Sequence, residues 1–267
     1  MRRLAPFAAL VALILLSPAA TGGAFAFPLS ADSTARVVEV IDGDTVKLDS
    51  GREVRLVGIQ APKLPLGRRG FAEWPLAGEA RAKLETLTAG KPITLHYGGA
   101  REDRHGRLLA HLTASDGSSR EAAWAQGEML KAGLARVYSF PDNRALVAEM
   151  LALEREARAA RRGIWRDPYY RIRKPEETRR DIETFQLVEG RVLQAAAVKD
   201  RVYLNFGPDF RTDFTIAIAR RDLKLFGRAF DGKALEGQSV RVRGWLKSVN
   251  GPMIEATHPE QIEVLSP

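Results

Sequence analysis

A chain of 267 residues with 41 Lys and Arg against 33 Asp and Glu carries a formal charge of +8. It has no cysteine and only four histidines, which excludes disulfide stapling and argues against a structural zinc site. The positive balance favours polyanionic partners, because each Lys or Arg that neutralises a phosphate releases a counterion.

In chain order, residues 1–26 begin with Arg2 and Arg3, continue through an apolar run from Leu4 to Leu16, and end on Ala24-Phe25-Ala26. This layout of a secretory signal peptide predicts a periplasmic or secreted protein. An uncleaved membrane anchor is the alternative, although the run is short for a span and is interrupted by Ser17-Pro18. Cleavage after Ala26 leaves 241 residues and, by removing two arginines, lowers the charge from +8 to +6. That length suits one large core or two modest ones.

From Ala35 to Ile59, short β-branched runs punctuated by Asp-Gly and Ser50-Gly51 predict a three-stranded meander. Ala77 to Leu87 places Ala80, Leu84 and Leu87 on one side and charges elsewhere, the spacing of an amphipathic helix on a sheet. Strands return at Pro92-Tyr97 and Leu108-Thr113, followed by helices near Glu121-Ala132 and Asn143-Arg162 with Gly133 and Gly163 at their C-terminal caps. This order, mainly β with α, suits an α+β domain built as a five-stranded OB-type barrel with packed helices over residues 34–166.

Between Arg161 and Thr184 lie eight basic and five acidic residues with Pro168 and Pro175. The segment, bounded as a linker at 167–184, reads as a solvated connector or as a basic arm contacting nucleic acid. Residues 185–265 are again strand-rich, at Leu187-Leu193, Val202-Phe206, Phe214-Ile218, Val240-Leu246 and Ile262-Val264, and predict a second small OB-like β domain. Such barrels often bind single strands, and Tyr203, Phe206, Phe210 and Trp245 offer either stacking surfaces or core residues.

Five short motifs precede that second domain. Val40-Ile41-Asp42-Gly43-Asp44-Thr45-Val46 is followed by Arg55-Leu56-Val57-Gly58-Ile59-Gln60-Ala61-Pro62-Lys63, then Asp103-Arg104-His105-Gly106-Arg107, then Gly133-Leu134-Ala135-Arg136-Val137-Tyr138 with Gly163-Ile164-Trp165 beyond. In this order and spacing, from about Thr34 to Trp165, the chain resembles the thermonuclease family, the staphylococcal-nuclease-like domains. The resemblance implies phosphodiester hydrolysis with one calcium ion, two phosphate-binding arginines and a glutamate base. It makes Asp44 a metal carboxylate with Asp42 nearby and Thr45 in support, and it makes Arg55 and Arg107 the two arginines. A guanidinium fork matches phosphate oxygens and stays charged, although either arginine alone also suits a surface salt bridge. His105 falls where the family often has an aromatic near the nucleotide, with a solvated turn histidine as the alternative. Tyr138 and Phe140 fall near positions that line the nucleotide pocket, with plain packing as the alternative.

The chain departs from the pattern at decisive positions. The second metal carboxylate falls at Gln60, the glutamate base at Lys63, and Ala61 replaces a threonine. A neutral amide oxygen weakens a calcium site, and an ammonium has no acceptor with which to take a proton. The two replacements add three positive charges to the site, so Arg55, Lys63 and Arg107 facing Asp44 are expected to hold a phosphate without a metal. Glu73 and Glu79 are the other carboxylates considered as a base. The resulting expectation is an exported protein that binds nucleic acid or nucleotide phosphates, with calcium doubtful and cleavage impaired. A non-enzymatic scaffold of the cell envelope is the alternative.

Overall fold

The structure is a computed structural model that describes residues 27–115, 122–227 and 230–265. The export signal expected at residues 1–26 lies outside the described residues, as does Glu121 at the start of the second expected helix.

The first unit runs through β1 (Ser33–Asp42), β2 (Thr45–Leu48), β3 (Glu53–Leu56), β4 (Gly58–Gln60), α1 (Ala77–Thr88), β5 (Pro92–His96), β6 (Leu108–Ala114), β7 (Ala123–Trp124), α2 (Ala125–Lys131), β8 (Arg136–Tyr138) and α3 (Val147–Ala159). The strand path β3-β2-β1-β5-β6 closes into a five-stranded barrel because β6 returns parallel to β3. Inward-facing Val46, Val54, Leu56, Ile93, Leu95 and Leu112 fill it, and Leu84 of α1, Met129 and Leu130 of α2 and Met150 of α3 cover it. The alternation of these side chains along each strand is what puts one face of the sheet into the core. Outside the ring, β4 and β8 form a separate antiparallel ribbon with Gln60 opposite Arg136 and Gly58 opposite Tyr138.

Between the barrels, Gly163–Arg166, Pro168–Tyr170 and Pro175–Asp181 form 3-10 turns. This segment, expected as a solvated connector or a basic arm, is mostly exposed or half-buried, but Tyr170, Arg173 and Thr178 anchor it. Tyr170 is buried and its hydroxyl donates to the Pro75 carbonyl at 2.8 Å. Arg173 is also buried, and its Nε donates to Asp181 at 2.8 Å while Nη1 donates to the Arg171 carbonyl at 2.6 Å. A guanidinium accepts burial where carboxylate and carbonyl oxygens satisfy it.

The second unit contains β9 (Phe185–Arg191), β10 (Gln194–Val198), β11 (Arg201–Asn205), β12 (Thr215–Ala219), α4 (Arg220–Phe226), β13 (Ser239–Ser248), β14 (Pro252–Glu255) and β15 (Ile262–Val264). Its path β10-β11-β12-β14-β13 includes a parallel β12–β14 pair, and β13 turns back onto β9, which leads into β10. The sheet thus curls along the same path as the first barrel. β10, β14 and α4 are elements that the sequence pattern does not announce. β10 carries Ala195-Ala196-Ala197 rather than β-branched residues, and β14 begins on Pro252, which strands tolerate at a first position.

The two barrels share a buried ionic seam. Arg243 of β13 is almost fully buried and donates from Nη1 to Glu154 Oε2 at 2.9 Å and from Nη2 to Glu154 Oε1 at 3.0 Å. Its Nη2 also reaches Glu263 Oε1 at 2.6 Å. Arg158 joins from α3 with a 2.8 Å bond to Glu154. Two further contacts cross the seam: Ser139 Oγ lies 2.8 Å from His258 Nε2, and Arg144 grips both carboxylate oxygens of Glu260. Among the described residues, no helix is long and apolar enough to cross a membrane.

Candidate active site

The tight turn joining β1 to β2 brings Asp42 and Asp44 to one end of the barrel. Gly43 between them has no room for a side chain, because a Cβ there would stand 2.7 Å from both the Ala61 and Ala80 Cβ atoms. The turn can therefore press against α1 and the strand that leads to Lys63. Asp44 is completely buried, and its Oδ2 accepts from the Ala61 backbone N–H at 2.7 Å. Its Oδ1 lies 2.6 Å from Lys63 Nζ, 3.0 Å from Arg55 Nη1 and 3.1 Å from Thr45 Oγ1. Lys63 Nζ also donates to Asp42 Oδ2 at 2.9 Å, and Asp42 Oδ1 accepts from the Asp44 N–H at 3.0 Å. Burial raises the cost of the Asp44 charge, but the Arg55 and Lys63 cations override it and hold the carboxyl far below its ordinary range. Burial, reinforced by the neighbouring Asp44 charge, pushes Asp42 upward.

Arg55 is bound inward. Nη1 donates to the carbonyls of Asp44 at 3.2 Å and Leu56 at 3.0 Å, and Nη2 donates to that of Ile59 at 2.7 Å. Much of the fork that would grip a phosphate is therefore spent on the protein itself. Gln60 is committed elsewhere too: its Oε1 accepts from Arg136 Nε at 3.0 Å and Nη2 at 2.7 Å. Arg136 is fully buried beside the Phe185 ring at 4.7 Å, and that burial pulls its guanidinium down to about 10.

Arg107 stands on a separate turn. Asp103 Oδ1 accepts from the backbone N–H groups of His105 at 2.8 Å and Arg107 at 3.1 Å, an Asx-type turn that fixes the loop. Gly106 occupies the left-handed conformation at φ 76° that closes it. The other Asp103 oxygen accepts from Arg107 Nε at 2.8 Å, so this carboxylate aims the guanidinium. Although burial raises its cost, Arg107 and the two N–H donors hold the Asp103 carboxyl below its ordinary range.

A cavity of about 500 Å³ brings together Arg55, Arg107, His105, Tyr138 and Phe140. Asp42, Asp44, Thr45, Gln60 and Lys63 do not line it. The single cationic cluster expected from Arg55, Lys63 and Arg107 is thus divided. Lys63 is neutralised by Asp42 and Asp44 outside the cavity lining, and Arg107 lines the cavity. The sequence reading missed Asp103, which orients Arg107, and Arg104, Glu102 and Asp142, which also line the cavity. Asp103 was visible as part of its motif, since Asp two residues before a loop N–H is the residue that builds such turns. Three arginines and three carboxylates share the lining, so its charges balance and it offers directed guanidinium donors rather than a broad positive field.

The residues present do not fit calcium as they stand. The two carboxylates of the Asp42-Gly43-Asp44 turn already share the Lys63 ammonium, and the amide oxygen of Gln60 is held by two N–H groups of Arg136. Among the described residues, no group of three or more His, Cys, Asp or Glu side chains is placed to hold a metal.

A larger cavity, about 660 Å³, lies on the second barrel between Tyr203, Phe210 and Met253. Of the aromatics considered there from the sequence, Phe210 and Trp245 are exposed, Tyr203 lines that cavity, and Phe206 packs against Phe214 and the core.

Comparison with known proteins bears on the first barrel. Residues 53–167 match the model of the family described as staphylococcal nuclease homologue. An uncharacterized endonuclease of Escherichia coli O157:H7 is 33% identical over 147 residues, covering 54% of this chain and 84% of that protein. Protein ParB of Escherichia coli is 32% identical over 184 residues, covering 65% and 92%, and a micrococcal nuclease of Shigella flexneri is 31% identical over 150 residues, covering 53% and 78%. With the closed five-stranded barrel, the Asp-Gly-Asp turn and the two arginines in their places, the chain belongs to the thermonuclease family of staphylococcal nuclease homologues.

Proposed function

We propose that this chain is an exported, thermonuclease-like protein that binds nucleic acid through its phosphates and cleaves it weakly or not at all. One observation carries the reading: Arg55, Arg107, His105, Tyr138 and Phe140, drawn from three separate segments, line one cavity of about 500 Å³. A phosphate there meets guanidinium donors while Tyr138 and Phe140 offer faces to a base. The names of its relatives, two of them nucleases, support nucleic acid as the substrate class.

Cleavage is impaired because the site lacks a base. Hydrolysis needs a group that orients and deprotonates water. The position of the family's glutamate holds Lys63, whose ammonium is bound to Asp42 and Asp44 and has no acceptor. Glu73 and Glu79 are exposed and line no wall of the cavity. Calcium is plausible for the family, but here the ion would have to displace Lys63, so binding is assigned to the protein's own cations. Export rests on the layout of residues 1–26.

The test incubates the mature protein with labelled single- and double-stranded DNA and RNA in calcium, magnesium or chelator, beside Arg107→Ala. The reading expects chelator-insensitive binding that falls steeply as salt rises and is weakened by Arg107→Ala. Binding that ignores both salt and Arg107 would overturn it. Determining the N-terminus of the protein recovered from the periplasm tests export.

A further inference from the structure

The second barrel, to which the family match, ending at residue 167, does not extend, touches a residue that lines this cavity. Tyr138 ends β8 and lines the cavity. Its hydroxyl accepts from Trp245 Nε1 at 2.8 Å, and its ring meets the Phe140 and Phe185 rings edge-on at 4.7 and 4.8 Å. Trp245 and Phe185 are register partners on β13 and β9. Two positions before Trp245 on the same strand face, Arg243 is anchored to Glu154 of the first barrel, and two positions beyond it stands exposed Lys247. The face of β13 that carries Trp245 is therefore turned towards the seam and emerges beside the cavity.

Trp245 is 46% exposed, although its only polar atom is already satisfied by Tyr138. What remains open to solvent is the carbon surface of an indole, a flat apolar face with no hydrogen bond left to make. Phe140, at 41% exposure, offers a second such surface against the Tyr138 ring. A row of partly exposed rings beside guanidinium groups matches the repeat of a single strand, in which phosphates alternate with stackable bases.

We propose that Trp245 is a base-stacking subsite, so that the second barrel binds the nucleotide next to the one seated at Arg107 and Tyr138, and the ligand is a single strand of several nucleotides. The proposal rests on the phosphate-binding reading of the cavity and extends it to the other barrel. Lys247, the next residue on that face of β13, is exposed and paired with Glu255.

The experiment measures binding of a fluorescein-labelled deoxythymidine octamer and of deoxythymidine 5′-monophosphate to the full chain in chelator, for the unaltered protein, Trp245→Ala, Trp245→Phe and Arg107→Ala. Trp245→Ala is expected to weaken octamer binding about tenfold, the size of one lost base–aromatic stack, and to leave the mononucleotide unchanged. Trp245→Phe keeps a ring but loses the bond to Tyr138, and is expected to retain most of the octamer affinity. Equal losses for octamer and mononucleotide in Trp245→Ala would overturn the proposal and reduce Trp245 to a support for Tyr138. No loss in either would overturn it as well. If the unaltered protein binds neither probe, or if Arg107→Ala changes nothing, the phosphate-binding reading itself fails, which is a result distinct from those two.

Discussion

Lys63 places its ammonium 2.6 Å from the buried carboxylate of Asp44, with Asp42 2.9 Å away on the other side. A side-chain cation thus bridges the two acids of the turn that the family resemblance assigns to a metal. The positive charge that Lys63 brings to the site faces inward and is cancelled there. This explains how a fully buried Asp44 stays ionised, since two cations and a backbone N–H surround it.

Removing that cation has a calculable consequence. Lys63→Ala leaves two adjacent carboxylates with Arg55 alone, and breaking a buried pair in this way costs about 3–5 kcal/mol. The vacated space is flanked by Asp42 Oδ2 and Asp44 Oδ1, oxygens of the kind that calcium prefers. Lys63→Ala should therefore unfold at lower urea than the unaltered protein, and millimolar calcium should recover part of the loss by binding only the folded state. The unaltered protein should unfold at the same urea concentration in calcium and in chelator. A clear calcium-induced shift in the unaltered protein would show that Lys63 does not block the site.

Restoring both acids tests the geometry further. Lys63→Glu combined with Gln60→Asp rebuilds the family pattern, but the carboxylate introduced at position 60 inherits Arg136 as a neighbour and should stay paired with it. The third carboxylate available to a cation, beside Asp42 and Asp44, is then the one introduced at position 63. Calcium-dependent stability should appear in the single Lys63→Glu variant and change little on adding Gln60→Asp, whereas adding Arg136→Met to the pair should tighten calcium binding again. Isothermal titration with calcium ranks the three variants. A large gain from Gln60→Asp alone would mean that Arg136 does not hold position 60.

The difference between what the sequence revealed and what it concealed follows chain distance. The strands of the first barrel, α1 and the turn at Asp103 are set by residues a few positions apart, through alternation, amphipathic spacing and a side chain bonded to its own loop. The partners of Lys63 lie 19 and 21 residues away, that of Gln60 lies 76 away, and Arg243 meets Glu154 across 89 residues. Motif matching locates such residues without saying which way they turn, because a Lys near acids and a Lys near a phosphate have the same pattern. Tyr170 and Arg173 escaped notice for a related reason: a charged composition reads as solvated until the oxygens that satisfy it are known.

Arg243 and Glu154 tie the two barrels together. Glu154→Ala leaves Arg243 nearly buried with Glu263 as its remaining carboxylate partner, at a cost of about 3–5 kcal/mol. Arg158 loses its closest partner as well. Urea unfolding should shift to lower concentration, and because the bond joins two barrels it should split into two transitions, the second barrel's followed by the Trp245 environment. Replacing the pair with Glu154→Leu and Arg243→Met should recover most of the stability, since apolar isosteres avoid the desolvation cost. A single unshifted transition in Glu154→Ala would show that the seam contributes little to holding the barrels together.

Two buried histidines set an acid limit on the fold. Burial pulls His258 down from 6.5 to about 4, and burial together with His96 does the same to His111. In the unfolded chain both titrate near their ordinary value, so between pH 6.5 and 4 the unfolded state binds more protons and stability falls as pH falls. Above pH 6.5 neither form is protonated and this contribution is flat; below about 4 both states are protonated and it is flat again. At about 1.4 kcal/mol per pH unit of difference, each histidine removes up to about 3 kcal/mol across that window. His258 sits between the barrels against Ser139 Oγ, so its protonation strains the seam as well as the second barrel. Urea midpoints measured from pH 7.5 to 4.5 should decline smoothly, and His258→Asn, which cannot take up the proton, should flatten about half of the decline. A profile in that variant as steep as in the unaltered protein would assign the acid sensitivity to His111 and the carboxylates instead.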